Sequence, residues 1–330
     1  MQYDFIGIGD TVSDAFIRLK EASVHCNVSK EDCEICMKFA DKIPYEDVWV
    51  VAAVGNAPNA ANSAARLGLK AAMVTNIGAD AQGKEALEAF EKEGVATEFI
   101  KAHEGIKTNY HYVLWYEDDR TILIKHETYP YELPDIGSPK WVYFSSVSEK
   151  AFPYHLALAD HLETHPEIKF AFSPGKWEIR MGTEKLARLY ARTDAFFCNK
   201  EEAEKILNMP SGSDVKELLK GIRALGPKIV AITDGPRGAY AYDAEDRFWQ
   251  MPIYPDPKPP YERTGAGDAF ASTVAVALAK GLPVSEALRW GPVNSMSVVQ
   301  SVGAREGLLT EDKLKEWLAK APADYQPKQF

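Results

Sequence analysis

Cysteine is scarce, with four in 330 residues, which points to a reducing compartment, with the cytoplasm as the expected location. The start, Met1 to Gly7, lacks a basic leader region and carries an early acid, Asp4, so no secretory signal is expected. Long apolar runs are missing too, which excludes a bilayer-spanning helix. Basic charge is in deficit: 38 Lys and Arg stand against 48 Asp and Glu, a net charge of −10. Nucleic acid and anionic membranes are therefore not expected partners. Familiar nucleotide motifs are absent as well. No G-x-x-x-x-G-K-[ST] occurs, so this is not a P-loop enzyme, and no H-R-D or D-F-G pair marks a protein kinase. Gly7-Ile8-Gly9 begins like a dinucleotide fingerprint but lacks its third glycine.

What is present is an ordinary globular composition, 46% hydrophobic and 26% charged. The pattern is α/β. Short apolar strands are expected at 3–8, 48–54, 71–75, 141–145, 169–173, 195–198 and 228–233. Helical stretches alternate with them at 59–67, 84–93, 150–163, 183–191, 200–207 and 213–225. Such alternation favours a mostly parallel sheet with helices on both faces. A hairpin is expected across 110–126, a strand pair at 238–243 and 247–251, and three closing helices at 267–280, 284–300 and 311–320. No repeat or long linker divides the chain, so residues 1–330 read as one domain. In open α/β sheets ligands gather at the carboxyl ends of strands. The polar and glycine features lie there: Asp10 to Asp14, Gly55 to Asn59, Asn199 to Glu202, and Thr233 to Gly238.

The most informative segment is Thr264-Gly265-Ala266-Gly267-Asp268, which runs into an alanine-rich helix. A glycine turn at a helix start aims unpaired N–H groups outward with the positive helix end behind them. That is a cradle for an anion. An adjoining carboxylate can take a proton from a hydroxyl held beside it, and the two together suit phosphoryl transfer to an alcohol. A capping role for Asp268 is the plain alternative.

These residues, with Gly55-Asn56-Ala57-Pro58-Asn59, Arg66-Leu67-Gly68 and Gly78-Ala79-Asp80-Ala81-Gln82-Gly83, occur in an order that resembles the ribokinase/PfkB family of sugar and nucleoside kinases. The resemblance implies a ribokinase-like three-layer sandwich with a small substrate lid, its elements within 15–50 and 95–127. It implies ATP and Mg²⁺ as cofactors and a sugar or nucleoside as the small-molecule substrate, with a homodimer as one outcome. Asp268 would be the base, and Gly265, Ala266 and Gly267 the anion hole. Asp14, Gly55 and Asn59 would bind substrate. Asn199, Thr233, Gly235, Gly238 and Asn294 would bind the nucleotide, and Glu202 would order Mg²⁺ through water. Asn199 and Glu202 would equally serve as a helix cap.

Some positions depart from the family pattern. Val54 stands for a first glycine, and Glu262-Arg263 for an Asp-Thr pair, which leaves monovalent-cation dependence open. Arg263 would face the transferred phosphate or act as a strut to a carboxylate. Ser173-Pro174-Gly175-Lys176 speaks against a fructokinase. A sugar kinase is the leading expectation. A nucleoside kinase would use an aromatic floor from Phe16, Tyr110, Tyr112 or Trp115, and a sugar- or nucleotide-binding regulatory protein would keep the fold without turnover. His25, Cys26, Cys33 and Cys36 suggest either zinc or, more in keeping with an expected helix over 30–40, buried thiols.

Overall fold

The computed structural model describes residues 2–27, 33–117, 119–148 and 150–330. Its centre is a ten-stranded sheet. From one edge the order is Lys328–Gln329, Phe248–Met251, Ala239–Tyr242, Ile229–Thr233, Ala195–Asn199, Lys169–Phe172, Trp141–Phe144, Phe5–Ile8, Ala71–Gly78 and Ile100–His103. The run from Ile229–Thr233 to Ile100–His103 is parallel, and the other edge is antiparallel. Phe5 sits opposite Ala71 on one side and Trp141 on the other.

The central strands are apolar at every position because both faces are covered. Side chains alternate between two cores. Phe5, Tyr143 and Phe197 pack with helices Asn56–Arg66, Ala266–Ala279 and Val284–Val298. Ile6, Val142, Phe144 and Phe172 pack with Phe152–Thr164, Ala187–Arg192 and Val215–Ala224. The result is the expected three layers. No helix among the described residues is long and apolar enough to cross a membrane.

A second sheet of four strands runs Tyr45–Val54, Val12–Leu19, Asn109–Tyr116 and Asp119–Leu123. The last two form the expected hairpin, and Asp118 at its turn lies outside the described residues. Val12–Leu19 was not foreseen as a strand, since Ser13, Asp14 and Arg18 break its apolar pattern. The short helix Lys176–Met181 was also unforeseen.

The helix expected over 30–40 is corrected. Its first three positions lie outside the described residues, and Cys33–Cys36 is a strand paired with Ser23–Cys26. Cys26 and Cys33, both exposed, are joined as a disulfide. Their sulfurs are bonded to each other, which overturns both zinc ligation and buried thiols for that pair. This is not the pairing expected of a reducing compartment. Cys36 is half-buried and free. The remaining thiol, Cys198, is buried, and burial raises its pKa.

Candidate active site

The site forms where parallel strands end and helices begin. Gly265 caps helix Ala266–Ala279 in the left-handed region, at φ 81°. A side chain there would meet Ala304, with Cβ atoms only 2.2 Å apart, so the turn demands glycine twice over. The first-turn amides that follow have no carbonyl four residues back to bind. Glu262 fixes the turn from below. It is buried and accepts from the Thr264 N–H at 2.7 Å, the Thr264 hydroxyl at 2.5 Å and the Gly303 N–H at 3.3 Å.

Asp268 follows in the first turn. Its Oδ2 accepts from Asn59 Nδ2 at 2.8 Å, joining two helices 209 residues apart in sequence. Removal from water raises the carboxyl to about 6, the Asn59 hydrogen bond opposes the rise, and the charge of Asp14 adds to it. Asn59 Oδ1 is buried with no hydrogen-bond partner among the described residues.

Asp268, Gly265, Ala266 and Gly267 line one cavity of about 200 Å³. Asn199 and Glu202 face them across it. Asn199 Oδ1 accepts from the Glu202 N–H at 2.8 Å, and Glu202 Oε2 accepts from the Asn199 N–H at 2.9 Å. The pair is thus a capping box, and it also lines the cavity. Burial raises the Glu202 pKa, and the charge of Asp268 adds to that rise. A cation between the two carboxylates would relieve both, so the donor set fits a divalent ion. No cluster of three or more metal-ligating side chains exists among the described residues, so such an ion would take most of its oxygens from phosphate and water.

A second cavity of about 380 Å³ adjoins the first and shares Ala266 and Gly267 with it. Thr233, Gly235 and Gly238 form one wall, at the end of strand Ile229–Thr233. Gly238 has φ 89°, and a Cβ there would lie 2.2 Å from the Met251 carbonyl oxygen. Pro292, Ser295 and Met296 form the other wall. Asn294 does not join them, which corrects its expected place in the nucleotide pocket. It is fully buried, donates to Thr273 Oγ1 at 2.7 Å and accepts from the Leu309 N–H at 2.9 Å. It fastens helices together, and its neighbours on the opposite helix face line the cleft.

Gly55 and Asp14 lie outside both cavities. Gly55 caps helix Asn56–Arg66 at φ 126°, and a Cβ there would stand 2.8 Å from the Asp10 carbonyl oxygen. Asp14 is buried on strand Val12–Leu19, with His111 Nδ1 3.3 Å from its Oδ1. Its charge adds to the rise of the Asp268 pKa, so the two carboxyls lie within electrostatic reach of each other.

Two arginines complete the wall. Arg263 lines both cavities and has no ion-pair partner among the described residues, so it is no strut. Arg120, from the small sheet's outer strand, lines the first cavity with its Nε 3.7 Å from Glu262 Oε1. Sequence reasoning missed Arg120, since no spacing ties a hairpin residue to a turn so far along the chain.

A cradle of amides, a carboxylate with a raised pKa and an apolar slot beside them are what phosphoryl transfer to an alcohol calls for. The chain belongs to the pfkB family of carbohydrate kinases, whose model matches residues 22–311. It is a sugar or nucleoside kinase of that family. It is 26% identical over 251 residues to a sugar kinase of Archaeoglobus fulgidus, covering 74% of this chain and 96% of the relative. It is 28% identical over 257 residues to a cytidine kinase of Thermococcus kodakarensis, covering 76% and 88%. Its fold is that of the Arabidopsis thaliana ribokinase solved with ribose and ATP, at a TM-score of 0.77 and 19% identity over 96% of this chain and 99% of that one.

Proposed function

We propose that this protein transfers the γ-phosphoryl group of ATP to a hydroxymethyl group of a sugar. The observation that carries this is the sharing of one cavity by Asp268 and the Gly265–Gly267 turn. A sugar alcohol is far too weak an acid to ionise in advance, so Asp268 takes its proton as the new P–O bond forms. The transition state is loose, with charge on the phosphoryl oxygens, and the first-turn amides stabilise it. The adjoining slot between Thr233–Gly238 and Pro292–Met296 is the place for the nucleotide, open and largely apolar. Mg²⁺, held through water by Glu202 and Asn199, would neutralise phosphate charge. The four-stranded sheet serves as the acceptor lid of a single kinase domain.

A nucleoside acceptor is the second reading. Phe16 and Trp115 are fully buried in packing and unavailable as a floor for a base. Tyr110 is half-buried, its ring tilted against that of exposed Tyr112 with centroids 5.3 Å apart, and close enough to feel the charge of Asp14, which supports a nucleoside subsite. ADP release measured over a panel of sugars and nucleosides tests both readings. Release with a sugar supports the first and release with a nucleoside the second. Binding without release with either would leave a regulatory protein.

A further inference from the structure

Glu262 is 1% exposed and stands two residues before Thr264, at the entrance to the anion turn. Its oxygens accept from the Thr264 N–H, the Thr264 hydroxyl and the Gly303 N–H. Those donors are neutral, and a charge held out of water also calls for a counter-charge. Among the described residues one cation lies within ion-pair distance of it: Arg120, with Nε 3.7 Å from Oε1. Arg263 is next in the chain, yet its charge is felt by Asp256 in the nucleotide slot. The contact to Arg120 is too long for a hydrogen bond. It acts by charge, which needs proximity and no alignment.

Arg120 belongs to the small sheet, and packing fixes its place. Arg18, Trp115 and Arg120 are register neighbours on three adjacent strands. Trp115 is fully buried, with Arg18 Cζ 4.3 Å over its ring and Tyr261 edge-on to it at 5.0 Å between centroids. The row therefore docks on Tyr261 and Glu262. A second contact backs the turn. Val302 packs with Val12, Phe16, Val51 and Val113 of the small sheet and its flank. A Cβ on Gly303 would stand 3.2 Å from Val51 Cγ2, and Ala304 abuts Gly265. Segment 302–304 is thus pressed between the small sheet and the turn, and Glu262 accepts from its middle residue.

Amides at a helix start grip an anion only while the turn keeps its shape. Without Arg120, Glu262 would hold its charge in a dry place with no cation beside it. The same carboxylate ties Thr264 to Gly303, so a shift that let water reach it would loosen the turn.

We infer that Arg120 is a positioning residue: acting through Glu262, it holds the Gly265–Gly267 turn in its anion-binding shape, so the cradle is complete only with the small sheet docked. That the anion is a phosphoryl group rests on the kinase reading above, while the coupling of Arg120 to Glu262 does not.

A double-variant cycle tests the coupling. The probe is a non-hydrolysable ATP analogue with Mg²⁺, titrated by calorimetry into the full chain. Arg120→Met should weaken its binding about tenfold and lower kcat about 10²-fold, with the acceptor KM within about threefold. Glu262→Gln removes the charge that needs Arg120. In that background Arg120→Met should cost less than about threefold in binding or kcat. Arg120→Lys keeps the charge without the guanidinium fork and should recover most of the loss. Equal losses in both backgrounds would mean that Arg120 touches the phosphoryl group itself, and they overturn the inference. A Lys variant as weak as the Met variant, or a Met variant with no loss, overturns it too. Should Arg120→Met alone not fold, the double variant must fold and bind within about threefold of Glu262→Gln, and its failure to do so defeats the inference. If the unaltered protein binds the analogue yet releases no ADP with any acceptor, the kinase reading fails alone and the binding cycle still decides. If it does not bind the analogue, both fail.

Discussion

The two sides of the cleft are built in different ways. The proposed phosphate side is main chain. Gly265, Gly235 and Gly238 hold left-handed backbone, and the groups offered to a ligand are amides at a helix start. The proposed acceptor side is side chain. Asp14, Asn59, His111 and Arg120 come from separate strands and helices. Phosphate is common to every kinase reaction and can be met by a fixed backbone surface. The acceptor varies, and side chains on a second sheet, Arg120 apart, can change without disturbing the first. A substitution on the phosphate side should therefore damage the chemical step or the use of ATP, and one on the acceptor side should shift the choice of acceptor and its affinity.

The largest effect expected is at the join between them. Asp268→Asn should lower kcat by roughly 10²–10⁴ with little change in either KM, by steady-state assay. The same change should stabilise the protein near neutral pH. Burial raises the Asp268 pKa to about 6, so the unfolded chain ionises at lower pH than the folded one. Stability is thus full below the unfolded value and lost as pH rises to about 6. Removing the charge restores up to roughly 3 kcal/mol, read as a higher Tm at pH 7.5. If Asp268→Asn were inactive and also less stable, the carboxylate would be structural.

Next comes a pair of glycines. Gly265→Ala forces a side chain into Ala304 at positive φ and should cost about 1–3 kcal/mol of stability, with a kcat loss of about 10²-fold. Gly267→Ala points into open space. It should leave Tm within a few degrees, since surface changes alter stability by about 0.5 kcal/mol or less, and raise the ATP KM. Equal damage from the two would mean that the turn serves the fold alone.

The pH dependence sharpens the same comparison. The base must be ionised, so kcat should fall as pH drops through about 6. Asn59→Ala removes the hydrogen bond that holds the carboxyl down, so the acid limb should move toward neutral pH. A limb that stays fixed would show that Asn59 does not tune the base. The smallest effect belongs to the acceptor sheet's outer face. Tyr112→Ser, at an exposed site, should change stability by about 0.5 kcal/mol or less and leave ATP kinetics unchanged. A change in acceptor preference in that variant would favour the nucleoside reading.

The asymmetry between the two sides also explains what the sequence revealed. The layered sheet was legible because each central strand is an unbroken apolar run, and the candidate phosphate side could be named because its residues are near neighbours in the chain. Thr264 to Asp268, Asn199 with Glu202, and Thr233 to Gly238 are short segments whose local geometry follows from glycine and capping chemistry. The acceptor side was legible only in its acids. His111 and Arg120 have no spacing signal, because the pairing of two strands brings them to the cleft. Asn59 was expected to touch substrate, and its bond to Asp268 depends on how two distant helices pack. Asn294 was misassigned because a helix turns adjacent residues to different faces: Ser295 looks into the cleft and Asn294 into the core. Cys33 and Cys36 misled because a three-residue spacing suits a helix face, whereas the disulfide to Cys26 follows from a hairpin.

The hydrogen bond between Asn59 and Asp268 spans 209 residues. A polypeptide still emerging from the ribosome, or one nicked by a protease into separated halves, has the acid on one piece and its holder on another. Neither fragment holds the pair, which comes together only once the last third of the chain is in place.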